Sequence, residues 1–253
     1  MELTLTAFLV VCPFLFLAGV VDAIGGGGGL ISLPAYLIAG LPPHMAMGTN
    51  KLSACCGTTL ATLRFVKNGL VNFRLALPTV LAALLGATLG TKVNLILDEK
   101  ILLYGMLVVL PVCFFVVFRK DLFRESQEIN QEITSRTYIV TTLCSLVIGF
   151  YDGFYGPGTG TFLIMAYTVF GKLDIRNANG QAKIVNLASG VGSVAVFISG
   201  GQVLYTLGLV GAVCNMLGGY IGAGLVMKNG AKIVRPSIFL VLILLGLKLL
   251  GVF

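Results

Sequence analysis

The apolar positions of this chain fall in long unbroken runs rather than in the alternations of a soluble core. Leu3 to Val21, Leu75 to Leu97, Ile101 to Phe118 and Ile238 to Phe253 carry almost no charge. A bilayer crossing takes roughly 20 apolar residues as a helix. Lipid offers no partner to open backbone, so such runs must be helical. The pattern predicts helices at 4–21, 30–40, 45–65, 74–96, 101–118, 136–154, 160–171, 178–198, 204–227 and 236–253. The fold class is an all-α polytopic membrane protein. Residues 160–171 would reach only about 18 Å as a helix, short of a ~30 Å hydrocarbon core. They read as the return arm of a re-entrant hairpin that starts at 136, and residues 4–40 read as a matching one.

The polar positions divide the chain. Its one long hydrophilic stretch, Arg119 to Arg136, separates two copies of a single pattern. An offset of 130 pairs Gly19 with Gly149, Asp22 with Asp152, Gly26 with Gly156 and Gly28 with Gly158. An offset of 132 pairs Lys51 with Lys183, Phe65 with Phe197, Gly69 with Gly201, Gly86 with Gly218 and Gly90 with Gly222. The expected organisation is a first membrane repeat over 1–118, a cytoplasmic linker over 119–135 and a second repeat over 136–253. Each repeat is a broken-helix hairpin followed by three transmembrane helices.

Loop charges decide how the repeats are oriented. The loop holding Arg64, Lys67 and Arg74 is basic, whereas its counterpart, Ser199 to Leu204, has no Lys or Arg. Lys228, Lys232 and Arg235 likewise have no equally basic counterpart after Gly90. Positive loops favour the cytoplasm, so equivalent loops lie on opposite faces and the repeats have inverted topology. Both termini are then expected on the extracytoplasmic side. Inverted repeats with broken helices are a transporter architecture.

Composition narrows the choice further. Residues are 57% hydrophobic and 11% charged, and mean hydropathy is +0.98, against about 25% charged in soluble domains. The net charge of +7 sits in short loops, where it orients a membrane protein, so nucleic acid is not an expected partner. Membrane lipid and a small anionic substrate are, and a homo-oligomer is compatible with the sequence. The first run has only Glu2 before it and a glycine-rich end, unlike a signal peptide. The 33 glycines suit close helix packing. Cys12, Cys55, Cys56, Cys113, Cys144 and Cys214 lie in apolar stretches without metal-ligand spacing. No cofactor or metal is expected, and no nucleotide-binding Gly-x-x-x-x-Gly-Lys-Ser/Thr is present, so transport draws on gradients.

Candidate chemistry gathers at the two breaks. The first reads Asp22-Ala-Ile-Gly25-Gly26-Gly27-Gly28-Gly29 and the second Asp152-Gly-Phe-Tyr-Gly156-Pro-Gly158-Thr159-Gly160. A short helix follows each, and a helix start with free N–H groups suits an anion. The bland alternative is a tight helix turn without a ligand. Lys51, with Thr49, Asn50 and Ser53, and Lys183, with Gln181 and Asn186, place an ionisable group in apolar surroundings. Such a group marks a functional candidate, against the alternative of snorkelling to the interface. Asp22 and Asp152 serve either as partners of the lysines or the backbone, or as a proton or cation relay coupling the flux. His44 reads as a loop residue. An intramembrane cysteine enzyme at Cys55-Cys56, one turn from Lys51, is the rival class, but no histidine base accompanies the cysteines, and the chain is not expected to be an enzyme.

Asp22-x-x-x-Gly, Gly48-Thr-Asn-Lys51, Tyr155-Gly-Pro-Gly-Thr-Gly160 and Lys183 together resemble the sulfite exporter TauE/SafE family, from about residue 10 to 253. The resemblance implies a duplicated membrane protein of the bacterial inner membrane that moves sulfite, sulfonates or related organic sulfur anions, mostly outward. The second half departs from the pattern, with Asn179-Gly-Gln-Ala-Lys183 in place of Gly-Thr-x-Lys.

Overall fold

The computed structural model describes residues 5–98, 133–230, 232–234 and 236–237. Among them every regular element is an α-helix. The first half contributes α1 (Leu5–Gly25), α2 (Gly29–Ile38), α3 (Pro43–Lys67) and α4 (Phe73–Ile96). The second contributes α5 (Ser135–Phe154), α6 (Thr159–Val169), α7 (Ile175–Ser199) and α8 (Tyr205–Asn229). The runs expected at 101–118 and 236–253, the third spanning helix of each repeat, lie outside the described residues, as does the linker, save for 133–135 and 236–237.

Local chemistry explains the helix starts. Asn72 caps α4 by accepting the Leu75 N–H at 3.1 Å, and Thr134 caps α5 by accepting that of Thr137 at 3.3 Å. Asp174 accepts from Arg176 and Asn177 at 2.9 and 3.3 Å, which starts α7 three residues before the expected 178. Pro43 opens α3, where its missing N–H costs nothing. The largest departure is α1, which continues past Val21 through Asp22 to Gly25. It stops where Gly26 turns to φ +81°, a conformation only glycine takes cheaply. Gly25 and Gly29 are therefore helical, and the first break is Gly26 to Gly28.

The surface is arranged for lipid. On α4, Leu77, Leu81, Leu85 and Leu89 form an exposed stripe at helical spacing, while Ala83, Gly86, Ala87 and Gly90 face inward. On α8, Leu209, Val213 and Leu217 are exposed, while Gly211, Gly218 and Gly222 are buried. Small residues inside and large apolar residues outside let backbones approach closely, which is how helices associate without water to drive them. Among the described residues four helices, α4, α5, α7 and α8, are long and apolar enough to cross a membrane. At 10 and 11 residues, α2 and α6 are not; they fold back on α1 and α5 as hairpins.

Contacts between the halves come in exchanged pairs. Among the described residues, the last helix of each half packs along the first helix of the other: α4 on α5, and α8 on α1. A Cβ on Gly86 would fall 2.3 Å from the Leu146 carbonyl oxygen, and one on Gly218 would fall 2.0 Å from that of Phe16. The Asn72 N–H donates to Gln181 at 3.3 Å, and the Leu204 N–H donates to Thr49 at 3.0 Å. Gly48, near the start of α3, lies against Gln202 beyond the end of α7; Gly180, near the start of α7, lies against Leu70 beyond the end of α3. The two matched helices α3 and α7 therefore run in opposite directions.

Candidate functional site

Four ionisable side chains meet where the breaks approach each other. Asp22 sits one turn before the end of α1 and Asp152 in the last turn of α5, each just ahead of its glycine break. Lys51 lies on α3 and Lys183 on α7, within helices whose surrounding residues are buried. The pairing crosses between halves. Lys51 Nζ is 2.7 Å from Asp152 Oδ1, and Lys183 Nζ is 2.9 Å from Asp22 Oδ2. Of the readings open for the aspartates, partnership with the lysines describes this geometry.

The pairs are built differently. The Lys183 side chain is fully buried, and its ammonium donates to both the Asp22 carboxylate and the Asp22 main-chain carbonyl. It ties α7 to the end of α1. The Lys51 side chain keeps 10% exposure, and its partner Asp152 is 4% exposed. Asp152 Oδ2 accepts from the Ser189 hydroxyl at 2.8 Å, so both of its carboxylate oxygens are engaged. Asp22, at 18% exposure, also accepts from Thr58 at 3.5 Å.

Between the breaks lies a cavity of about 50 Å³ lined by both halves. Asp22, Gly26, Gly29, Asn50, Lys51, Asp152, Gly156, Thr159, Gly160 and Asn186 border it, all of them expected site residues. Ala54, Cys55, Thr58 and Gly190 also border it, and the sequence reading passed over Ala54, Thr58 and Gly190 as site residues. Thr58 is seven residues after Lys51, two helical turns along the same face, and that spacing was the available signal. Lys51 reaches over Gly156, where a Cβ would come 2.9 Å from its ammonium. The tips of the two hairpins cross at Gly26 and Gly160, where a Cβ on Gly26 would lie 2.2 Å from the Gly160 carbonyl carbon.

The remaining expected residues do not line the cavity. Gly28 has right-handed backbone and packs on α1, where a Cβ would meet the Ala18 carbonyl oxygen at 2.5 Å. Gly158 is the left-handed residue (φ 87°) that starts α6. Gly25 lends its carbonyl to the Thr161 hydroxyl, and Gly27 lends its own to the Leu30 N–H at 3.1 Å. Ser53 pairs with the Tyr36 hydroxyl at 2.8 Å, and Thr49 and Gln181 hold the opposite half by the exchanged bonds described above. Lys183 stands behind Asp22, out of reach of the cavity. His44 Nδ1 lies 3.2 Å from Asn94, whose amide donates to the Phe154 carbonyl at 2.7 Å. That makes His44 a link to the end of α5.

Two lysine–aspartate pairs thus lie between the hairpin breaks, and Lys51, Asp152 and Asp22 border the cavity there. Comparison with known proteins agrees with a membrane carrier. The chain is 36% identical to a probable membrane transporter protein, ORF9, of Sinorhizobium sp, over 98% of this chain and 93% of that protein. It is 34% identical to a probable membrane transporter protein of Haemophilus influenzae, over 92% of this chain and 91% of that one. It is 32% identical to the probable membrane transporter protein YfcA of Escherichia coli, over 92% of this chain and 86% of that one. No solved structure matches. The family model described as sulfite exporter TauE/SafE matches residues 11–249. With the exposed apolar stripes and the four apolar helices, these matches identify a membrane transporter, and the chain belongs to the sulfite exporter TauE/SafE family.

Proposed function

We propose that this protein is a secondary transporter of small sulfur-containing oxoanions, sulfite, sulfonates or their relatives, acting as an exporter in the bacterial inner membrane. The observation that carries this reading is Lys51, a partly accessible ammonium at a small cavity shared by both breaks. Gly29 and Gly160, at the starts of α2 and α6, border the same cavity, and a helix start favours an anion, although the Leu30 and Thr159 amides there are already taken by the Gly27 and Gly156 carbonyls. At about 50 Å³ the cavity has room for roughly three to five water-sized centres at about 10–15 Å³ each, the bulk of a sulfite or sulfate ion.

The same proposal treats the halves as inverted-topology repeats with the site near the midplane. The exchanged contacts support it, together with the opposite run of α3 and α7. It puts Asn68 on the cytoplasmic side, Gln202 and both termini outside. Single cysteines at Asn68 and Gln202, in a cysteine-free background, should react with an impermeant reagent from opposite faces. Labelling of both from one face overturns the inverted arrangement.

Flux in proteoliposomes against a panel of sulfite, sulfate, thiosulfate and sulfonates tests the substrate class. Saturable movement of sulfite or a sulfonate, lost in Lys51→Gln, supports the reading. Transport of none of them removes it. The alternative is a proton- or cation-coupled carrier of another solute; it draws on the presence of both carboxylates at the cavity.

A further inference from the structure

The charges around the cavity balance before any substrate arrives. Lys51 is covered by Asp152 and Lys183 by Asp22. An anion entering this ring would bring the sum to minus one in a dry setting, where an uncompensated charge is costly. The site must gain a positive charge to hold the anion, and the structure indicates where.

Asp22 keeps its counterion throughout. Lys183 is fully buried, bonds both the Asp22 carboxylate and its main-chain carbonyl, and is not reached from the cavity. Asp152 is placed otherwise. Its counterion Lys51 borders the cavity, beside Gly156, whose missing Cβ leaves the ammonium room. An anion that takes up the Lys51 ammonium leaves the Asp152 carboxylate uncovered.

We infer that the Lys51–Asp152 pair couples anion movement to a proton: Asp152 takes up one proton as the anion replaces it beside Lys51, and both leave together. The carboxylate oxygen facing Lys51 becomes a hydroxyl, the Lys51 N–H turns to an anion oxygen, and release reverses both. The groups facing Asp152 are consistent with this exchange. From α3 they are Lys51 and Cys55, from α7 Ser189, and from α1 across the cavity Asp22, with Lys183 behind it. From α4 the neutral Thr91 and Asn94 bond the end of α5, while Lys92 is exposed. From α6 the neutral Thr159 borders the cavity. The inference rests on reading the cavity as the anion site. It changes the energetics of that reading. A monoanion would cross without net charge and ignore the membrane voltage. A dianion would still carry one negative charge outward, a direction that an interior-negative potential favours.

The test uses the whole chain in proteoliposomes that hold a pH dye, with methanesulfonate as probe because it stays a monoanion at any working pH. The expected result is one proton moved per methanesulfonate, no response to an imposed potassium-diffusion potential, and binding that tightens about tenfold per pH unit as pH falls. Asp152→Asn should abolish proton movement and the pH dependence and make the remaining flux voltage-sensitive. Asp22→Asn should keep the proton requirement, whatever its rate. Wild-type flux of methanesulfonate without protons overturns the inference and leaves the anion site standing. The same holds if Asp152→Asn stays proton-coupled. Should Asp152→Asn fail to fold, the wild-type stoichiometry alone decides. If wild-type protein moves neither methanesulfonate nor sulfite, the anion site fails and the coupling falls with it.

Discussion

Two ion pairs made from the same residue types, at positions that pair by a near-constant offset in the sequence, are built differently. Lys183 is sealed away and bonds both main chain and side chain of Asp22, whereas Lys51 keeps one edge on the cavity. A lysine with two anchors and no access is a brace. A lysine with one anchor and access can exchange partners. The number of anchors and access to the cavity together separate the two lysines. The neighbourhood in sequence already differs, Gly-Thr-Asn-Lys51 against Gly-Gln-Ala-Lys183. Thr49 and Gln181 nevertheless serve alike, each accepting an amide from the other half.

That contrast is open to breaking. The largest effect should come from Lys183→Gln, which strips Asp22 of its counterion and its carbonyl of a donor. Breaking a buried pair in this way costs about 3–5 kcal/mol, seen as a fall in thermal stability and loss of monodispersity, while flux per folded molecule survives in part. Equal destabilisation by Lys51→Gln would erase the distinction. Lys51→Gln should instead lower flux about a hundredfold, near 2.8 kcal/mol at about 1.4 kcal/mol per factor of ten, in protein that still elutes as one species. Lys51→Arg should keep part of it, since the larger fork fits this point-charge position imperfectly. Gly28→Ala sharpens the picture from the packing side. Its new Cβ meets the Ala18 carbonyl oxygen at 2.5 Å, so it should lose about 1–3 kcal/mol by overpacking. Anion-induced stabilisation of the folded fraction should stay unchanged; a loss of it would return Gly28 to the site. The smallest effect is shared by the matched turn glycines Gly69 and Gly201, at φ 69° and 67° with open space around them. Alanine at either should cost about 1–2 kcal/mol of backbone strain alone, equally in both, with flux unaltered.

Much of the helical frame was legible because apolar runs, proline and capping residues act locally. The structure starts α3, α4, α5, α6 and α8 within two residues of the expected points. Where local rules compete, the reading slipped. The glycine-rich stretch suggested a break from Asp22 to Gly29, yet α1 runs on through Asp22 to Gly25, whose carbonyl is taken by the Thr161 hydroxyl of α6. Part of the candidate set borders the cavity, and partnership of aspartate with lysine was one of the readings, but which aspartate meets which lysine was not legible. Nothing near Lys51 in sequence points to Asp152, because that pairing arises from helices of opposite halves lying side by side. Thr58, Gly190 and Ser189 were missed for the same reason: a threonine, a glycine or a serine in a membrane helix looks like packing until a carboxylate or a cavity is found beside it.

The crossing of Gly26 with Gly160 bears on how the two hairpins could part. At that point main chain touches main chain, with no side chain between the tips. A plug made from a phenylalanine or a leucine can swing aside by turning one bond within nanoseconds. This seal has no bond to turn. To part the tips, one arm must travel as a body, dragging its return helix and breaking the bond from Thr161 to the Gly25 carbonyl. Such collective shifts take microseconds to milliseconds. A barrier placed at this crossing would be stiff against leakage, with a mechanical slow step.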